Sequence, residues 1–590
     1  MKATSAPDIG LLLAGGMCLL PFLLPYHQQP VLSFYPEWLA VALGVAAAFV
    51  VLIHGGIRSD AALPLPALWL AAFALFLALR WLLGEQAYPA AALLATLYAL
   101  YAVLMLQLGA QLVSRFGVER VAVVLAVFVL AGALANAAAG VIQFYGRPAL
   151  FEDIIAELRG RRAYGNIAQS NLYTNYLALG QAALLLLWLR APLRTSYAIA
   201  ALALLVVASA LSGARAAVLY AIWFAVSGAF TARFMDRPEA KRLQWGALGI
   251  AVALVAAHLL VPWVNSALQL GLAGEGTLER LQLTEPRPAV FLLALRIFAD
   301  APFFGVGMGE FPGAAFARGL DPSLTAIGEI WTSPHNLPLH LLAETGALGA
   351  ILVLGALSIW AISLLQRDRA AASPALWWVA AAVGVELLHA LIEYPLWSAH
   401  FLGLASLLVG ASALPRTQGP RSAALVRTAG IAACAVLAVA LALLLRDYLR
   451  LDLARAAGTR VTLAPPAQVQ RDTETMHALR DGLLGPVAEL WIFSGAPLDR
   501  SAPADKLSMG ERVGRHWPAN EIVVRRAAFL ALDGKRERAL TLLEDALRAF
   551  PQRRAATARL LEQAAAADPE KIAPLLALAA RAGAGTRGKP

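Results

Sequence analysis

The chain has 590 residues, 59% of them hydrophobic and only 15% charged, and a mean hydropathy of +0.65. These values exclude an ordinary soluble globular protein, and apolar runs long enough to cross about 30 Å of hydrocarbon recur along the chain. The net charge of +10 sits mostly in short loops between those runs, which membrane topology explains without a nucleic-acid partner.

The predicted fold class is all-α, a polytopic helical membrane protein with about thirteen spans. The first apolar run, from Ile9 to Leu24, lacks an A-x-A cleavage pattern and reads as a retained span of 9–25. Further spans are expected at 38–56, 63–83, 90–112, 121–142, 171–189, 196–211, 215–232, 245–262, 337–365, 375–390, 398–414 and 424–445. Alternate loops carry Arg58, Arg115 with Arg120, Arg190 with Arg194, Arg233 to Arg242, Arg367 with Arg369, and Arg416 with Arg421. The positive-inside rule places these loops and the N-terminus in the cytoplasm.

Most of the opposite loops lack Lys and Arg. The exceptions are Arg159, Arg161 and Arg162 in 143–170, Arg215 in the tight "SGAR" turn, and Arg280, Arg287, Arg296 and Arg318 in the long 263–336 segment. Outer-face arginines oppose the orientation signal, so they serve either as headgroup anchors or as a surface for an anionic ligand.

Residues 1–445 therefore form the membrane domain, and 446–590 a charged tail outside the membrane. Within the tail, 519–551 resembles a tetratricopeptide helix pair: Ala527, Leu530, Gly534, Ala539, Leu543, Ala546 and Pro551 fall at the offsets of a roughly 34-residue unit.

No D-x-D, H-E-x-x-H or cysteine cluster occurs in the outer loops, and Cys18 and Cys434 both lie in apolar runs. Metal-dependent and redox chemistry are not indicated, and no cofactor is expected. Gly305, Gly307 and Gly309 in "GVGMGEF" read as a turn after the helical segment "RPAVFLLALRIFADAPFFG", with amides that could meet phosphate. In "PHNLPLHLLAETGALGA", Pro334 and Asn336 suit a helix N-terminus. His335 stands at its rim as a proton acceptor, Glu344 lies more than two turns deeper as a buried hydrogen-bonded acid, and Gly346 and Gly349 offer a face for close helix packing. A second polar cluster holds His389, Glu393 and His400, either a structural network or a substrate path.

"HNLPLHLLAETGALG" resembles the H-N-x-x-L-x-x-x-x-E-x-G-x-x-G signature of the O-antigen ligase and polymerase superfamily, the WaaL, Wzy and PglL proteins. "LSGARAAVL" resembles its S-x-S-R segment, with Gly213 and Ala214 in place of the serine approach to Arg215. "PFLLPYHQQPVLSFYPEW", "RRAYGNIAQSNLYTNYLALG" and "LLHALIEYPLWSAHFLG" are similar to the PglL/PilO-type bacterial protein O-oligosaccharyltransferases, as are "RDYLRLDL" and the repeat-like tail.

The resemblance implies a GT-C-like membrane fold in the inner membrane, with the active site and C-terminal domain on the periplasmic side. It implies en bloc transfer of an oligosaccharide from undecaprenyl pyrophosphate to Ser or Thr hydroxyls of a periplasmic protein such as a pilin, with inversion at the anomeric carbon. Arg215 and then Arg287 would hold the diphosphate, and His335 would act as general base. Asn336, Glu344 and Glu393 would support or line the substrate site; Gln169 and Asn171 would contact sugar hydroxyls, and Arg162 would be a further diphosphate contact. The competing expectations are an O-antigen ligase acting on lipid A core, an O-antigen polymerase, or a lipid-linked glycan transporter, although the polar residues gather at one face and not at a midplane site.

Overall fold

The computed structural model describes residues 6–54, 63–84, 86–146, 151–270, 287–320, 331–414, 420–458 and 474–584; Arg58, Arg280 and Arg416 lie outside them. Among the described residues the regular structure is helical, with no strand. In chain order the helices are α1 (Ala6–Met17), α2 (Leu20–Leu23), α3 (Phe34–His54), α4 (Leu65–Leu83), α5 (Pro89–Tyr145), α6 (Ser170–Arg190), α7 (Thr195–Leu211), α8 (Ala216–Ala232) and α9 (Arg237–Ala267). They continue with α10 (Arg287–Asp300), α11 (Phe311–Arg318), α12 (Leu337–Ala371), α13 (Pro374–Ala390), α14 (Ala399–Ser412) and α15 (Pro420–Gly458). The tail adds α16 (Gly485–Gly495), α17 (Pro503–His516), α18 (Asn520–Leu532), α19 (Arg536–Ala549), α20 (Arg554–Ala565) and α21 (Pro569–Ala584).

Seven of these, α3, α4, α5, α6, α9, α12 and α15, are long and apolar enough to cross a membrane, and shorter apolar helices accompany them. The chain is an all-α, multi-pass membrane protein. Each predicted span coincides with a helix or part of one. Spans 90–112 and 121–142 are the two halves of α5, which breaks at Gly117 (φ 76, ψ 156). The span expected at 9–25 divides into α1 and α2, because Pro21 lacks an N–H and its ring clashes with the carbonyl of Met17, where α1 ends. The last span does not stop at 445: "RDYLRLDLARAAG" contains strong helix formers and no proline, so α15 runs on to Gly458.

The described residues fall into two compact units. The first comprises Met1–Phe73, Leu97–Thr284 and Leu352–Ala442. At its centre every residue of α6 from Tyr173 to Leu187 is buried, packed against α7, α8, α9 and α13. Lipid tails are as apolar as leucine, so close approach through small residues holds such helices together. A Cβ added at Gly109 would lie 2.1 Å from the Leu407 carbonyl oxygen, and one at Gly410 would lie 2.0 Å from that of Leu106, so α5 and α14 meet backbone to backbone.

One end of this unit gathers the basic loops. Arg120 pairs with Asp8 (2.7 Å), Arg190 with Glu119 (3.2 Å) and with Glu239, and Arg427 donates to the Ile53 carbonyl (3.0 Å). The other end joins the segments after α2, before α6 and after α13. There Asn166 donates to the Leu23 carbonyl (2.9 Å) and its own carbonyl accepts from His27 (2.7 Å).

The second unit comprises Ala74–Thr96, Glu285–Ile351 and Leu443–Pro590. Its C-terminal helices stack as antiparallel pairs, α18 on α19 and α20 on α21. Gly534, at φ 87, makes the turn of the first pair in the left-handed region that glycine enters without strain. Phe493, Val513, Val524, Ala527, Leu543, Ala546 and Leu561 form their core. A second core joins Leu293 and Ile297 of α10 and Phe311 of α11 to Ala343 of α12.

Candidate functional site

Within the second unit, α12 begins at Leu337 with Asn336 as its cap: the Asn336 side-chain carbonyl accepts the Leu339 N–H (3.1 Å), and its main-chain carbonyl accepts that of His340 (2.9 Å). His335, just before the cap, is half-buried and stands in the left-handed region at φ 52. Its N–H donates to the Ser333 hydroxyl (3.0 Å), its Nδ1 lies 3.1 Å from the Ser333 carbonyl, and Trp331 meets its ring edge-on at 4.8 Å. A carbonyl only accepts, so Nδ1 carries the hydrogen, and in the neutral ring Nε2 is the basic nitrogen.

Two turns into α12, Glu344 is buried among partners. Its Oε1 accepts the N–H groups of Gly309 (3.1 Å) and Phe311 (3.0 Å), and its Oε2 lies 3.1 Å from His340 Nε2. It thus serves the N-terminus of α11, where free amides favour an anion. Arg287 opens α10, whose apolar face packs beside Ala343 of α12.

Gly346 departs from the packing role expected of it. At φ 65 and ψ −168 it breaks α12, in a region of backbone space almost confined to glycine. The segment 302–307 lies along the break, with Val306 N–H to Ala343 (3.0 Å), Gly307 N–H to Glu344 (2.9 Å), Ala347 N–H to Pro302 (2.7 Å) and Leu348 N–H to Phe303 (3.2 Å). A Cβ on Gly346 would fall 2.4 Å from the Phe303 carbonyl carbon. The turn expected at Gly305, Gly307 and Gly309 is present, and all three have positive φ. Phosphate binding by their amides does not hold, because those amides already donate to Ala301, to the Glu344 carbonyl and to the Glu344 carboxylate.

Within the first unit the arginine loops meet α6. Arg162 Nε donates to the Ser212 carbonyl (2.6 Å) and its Nη2 to Asn171 Oδ1 (3.0 Å); Asn171 in turn donates to Glu393 Oε1 (2.8 Å). Arg162, Asn171 and Glu393 are therefore one bonded chain, with Glu393 buried at its end. Gln169 caps α6, its side-chain carbonyl accepting the Leu172 N–H (2.6 Å), so that oxygen serves the helix.

Arg215, half-buried, occupies the cap position of α8 after a turn made by Gly213 at φ 59. Ser212 shapes that turn: its hydroxyl bonds the Ala214 N–H (3.1 Å), the Ser209 carbonyl (2.6 Å) and the Thr174 hydroxyl (2.5 Å). The two positions just before Arg215 carry no hydroxyl, and the Ser212 hydroxyl three residues upstream holds the turn instead, a role that the "SGAR" stretch did not single out. Tyr220 was also missed; its hydroxyl bonds His389 Nδ1, and a lone tyrosine in an apolar helix gives no sequence signal. Among the described residues no group of three or more His, Cys, Asp or Glu side chains is placed to hold a metal.

Residues 167–354 match the family model described as O-Antigen ligase, and residues 377–565 match that described as Virulence factor membrane-bound polymerase, C-terminal. The chain is also 26% identical over 469 residues to the General O-oligosaccharyltransferase of Acinetobacter baylyi, an alignment covering 78% of this chain and 79% of that protein. Together these matches support the superfamily of O-antigen ligases, O-antigen polymerases and O-oligosaccharyltransferases for this chain. The relative is an oligosaccharyltransferase by name, and together with the O-Antigen ligase match it supports glycan transfer as the activity of this membrane protein. The first family match opens beside Gln169 and Asn171 and closes beyond Gly346, so it contains Arg215, Arg287, His335 and Glu344.

Proposed function

We propose that the protein moves an intact oligosaccharide from undecaprenyl pyrophosphate to Ser or Thr hydroxyls of a periplasmic protein, a pilin-like chain among the candidates. The observation that carries this reading is the hold on His335: its Nδ1 hydrogen is committed to the Ser333 carbonyl, so the proton-accepting role falls to Nε2. The Acinetobacter relative, an O-oligosaccharyltransferase by name, supports a protein acceptor, and the C-terminal helical domain, with its tetratricopeptide-like pair at 519–551, suits a protein partner.

In this mechanism the acceptor hydroxyl attacks the anomeric carbon from the face opposite the leaving group and gives its proton to His335 Nε2. The bond from that carbon to the diphosphate oxygen breaks, and undecaprenyl pyrophosphate departs with inversion. A diphosphate leaves readily when its charge is held, and guanidinium groups suit that task; Arg215, Arg287 and Arg162 take it. Asn336 and Glu344 hold the helix behind His335, while Asn171 and Glu393 hold Arg162. No step requires a cofactor or metal. On this reading the basic loops face the cytoplasm, and the proposed side for glycan transfer is the periplasmic face of the inner membrane.

The O-Antigen ligase match favours a second reading, transfer to lipid A core, and the polymerase match a third, transfer to another carrier-linked glycan. The test is expression with a carrier-linked glycan, a reporter pilin and lipid A core acceptors in one cell. Glycan on the pilin supports the first reading; glycan confined to lipid A core or to longer carrier-linked chains contradicts it.

A further inference from the structure

Within the second unit, residues 305–311 are held from two sides. On one side, α12 takes the N–H groups of Gly309 and Phe311 on the Glu344 carboxylate and that of Gly307 on its carbonyl. On the other side are the C-terminal helices. His516 Nδ1 lies 3.0 Å from the Gly309 carbonyl, and Arg515 Nη2 lies 3.2 Å from Glu310 Oε2. Glu310 is buried, and its Oε1 accepts the Ala87 N–H at 2.7 Å.

The fit leaves no slack. A Cβ on Gly313 would lie 2.2 Å from the Arg515 carbonyl oxygen, and Phe316 stacks on Phe550 at 6.3 Å. Tyr88 meets the His516 ring edge-on at 5.2 Å and donates to Glu489 (2.7 Å), which also holds Arg480 and Arg512. Apolar contact alone would keep the two pieces together. Directed hydrogen bonds to both the N–H and the carbonyl of Gly309, a residue at φ 79, fix its orientation as well.

We infer that the C-terminal domain takes part in glycan transfer, with His516 and Arg515 as positioning residues that hold the 305–311 turn against Glu344 and so set the helix that begins beside His335. Neither residue touches the reacting atoms. The inference rests on the reading of His335 as the general base, since a displaced base loses rate without loss of substrate binding.

The test uses the full-length protein with purified lipid-linked oligosaccharide and acceptor protein. His516→Leu keeps bulk and removes the donor; His516→Asn keeps a side-chain N–H near the Nδ1 position. The expected result is a kcat lowered roughly 10- to 100-fold in His516→Leu with both KM values unchanged, and recovery of most of the rate in His516→Asn. Arg515→Gln, at a half-exposed side chain, lowers kcat in the same manner and decides the matter if His516→Leu does not fold. His335→Ala is measured alongside. Loss of rate in His335→Ala with wild-type kcat in Arg515→Gln and His516→Leu overturns the positioning role and leaves the base assignment standing. A raised acceptor KM with intact kcat overturns it too, by making the domain a docking surface. A wild-type rate in His335→Ala overturns the base assignment, and this inference with it.

Discussion

Nδ1 of His335 lies 3.1 Å from the main-chain carbonyl of Ser333, two residues earlier. That contact is possible because His335 adopts φ 52, turning the ring back over the preceding residues before α12 starts. A residue other than Gly, Asn or Asp in the left-handed region carries a strain of about 1–3 kcal/mol, and the strain here buys a fixed tautomer. His335→Gly should therefore raise thermal stability while lowering the rate of glycan transfer by about 10²- to 10⁴-fold. A fall in melting temperature would show that the ring contacts outweigh the backbone strain.

Removing the Glu344 carboxylate leaves two N–H groups, the half-buried one of Gly309 and the buried one of Phe311, without their acceptor. An orphaned buried donor costs about 1–3 kcal/mol, so Glu344→Ala should destabilise the second unit by several times thermal energy. Glu344→Gln retains one carbonyl oxygen and should lose less. Thermal unfolding in detergent distinguishes them, and equal melting temperatures for both variants and wild type would contradict the capping role.

Arg162, Asn171 and Glu393 should behave as one element. In a double-mutant cycle of Asn171→Ala and Glu393→Gln, the effects on donor KM should be non-additive by about 0.5–3 kcal/mol, as for residues sharing a network. Strict additivity would mean that the 2.8 Å contact does no work in donor binding.

Acidification should loosen the C-terminal domain in two stages. Burial holds the His516 imidazole below its ordinary value, against the opposing pull of Glu310, the Gly309 carbonyl and Glu344. The unfolded chain then binds the proton first, so stability is full above about pH 6.5 and declines as the pH falls below it. Glu489 behaves differently: burial would raise its carboxyl, but hydrogen bonds from Arg512, Tyr88 and Arg480 outweigh burial and hold it below the usual range. Its contribution is present above about pH 4.3 and is lost as the pH falls through the depressed folded value. Unfolding followed against pH should show the upper stage vanish in His516→Leu and the lower in Glu489→Gln; unchanged profiles would contradict the assignment.

The spans were legible because hydrophobic run length is a local property, and the capping role of Asn336 because Pro and Asn at a helix start act within a few residues. Gly346 was misread for a related reason. Its spacing from Gly349 fits helix packing, but its conformation is decided by Phe303, more than forty residues away in sequence. The hold of His516 on Gly309 and of Tyr88 on Glu489 joins segments whose sequences show no periodicity in common. Pairing across such distances depends on where the fold carries each segment, and local pattern does not encode it.

The most direct test of the central claim is the initial rate of transfer from purified undecaprenyl-pyrophosphate-linked oligosaccharide to an acceptor protein, wild type against His335→Ala. The account predicts glycan on a Ser or Thr of the acceptor and a loss of about 10²- to 10⁴-fold in kcat for His335→Ala, with donor binding retained. A His335→Ala enzyme that transfers at the wild-type rate would contradict it.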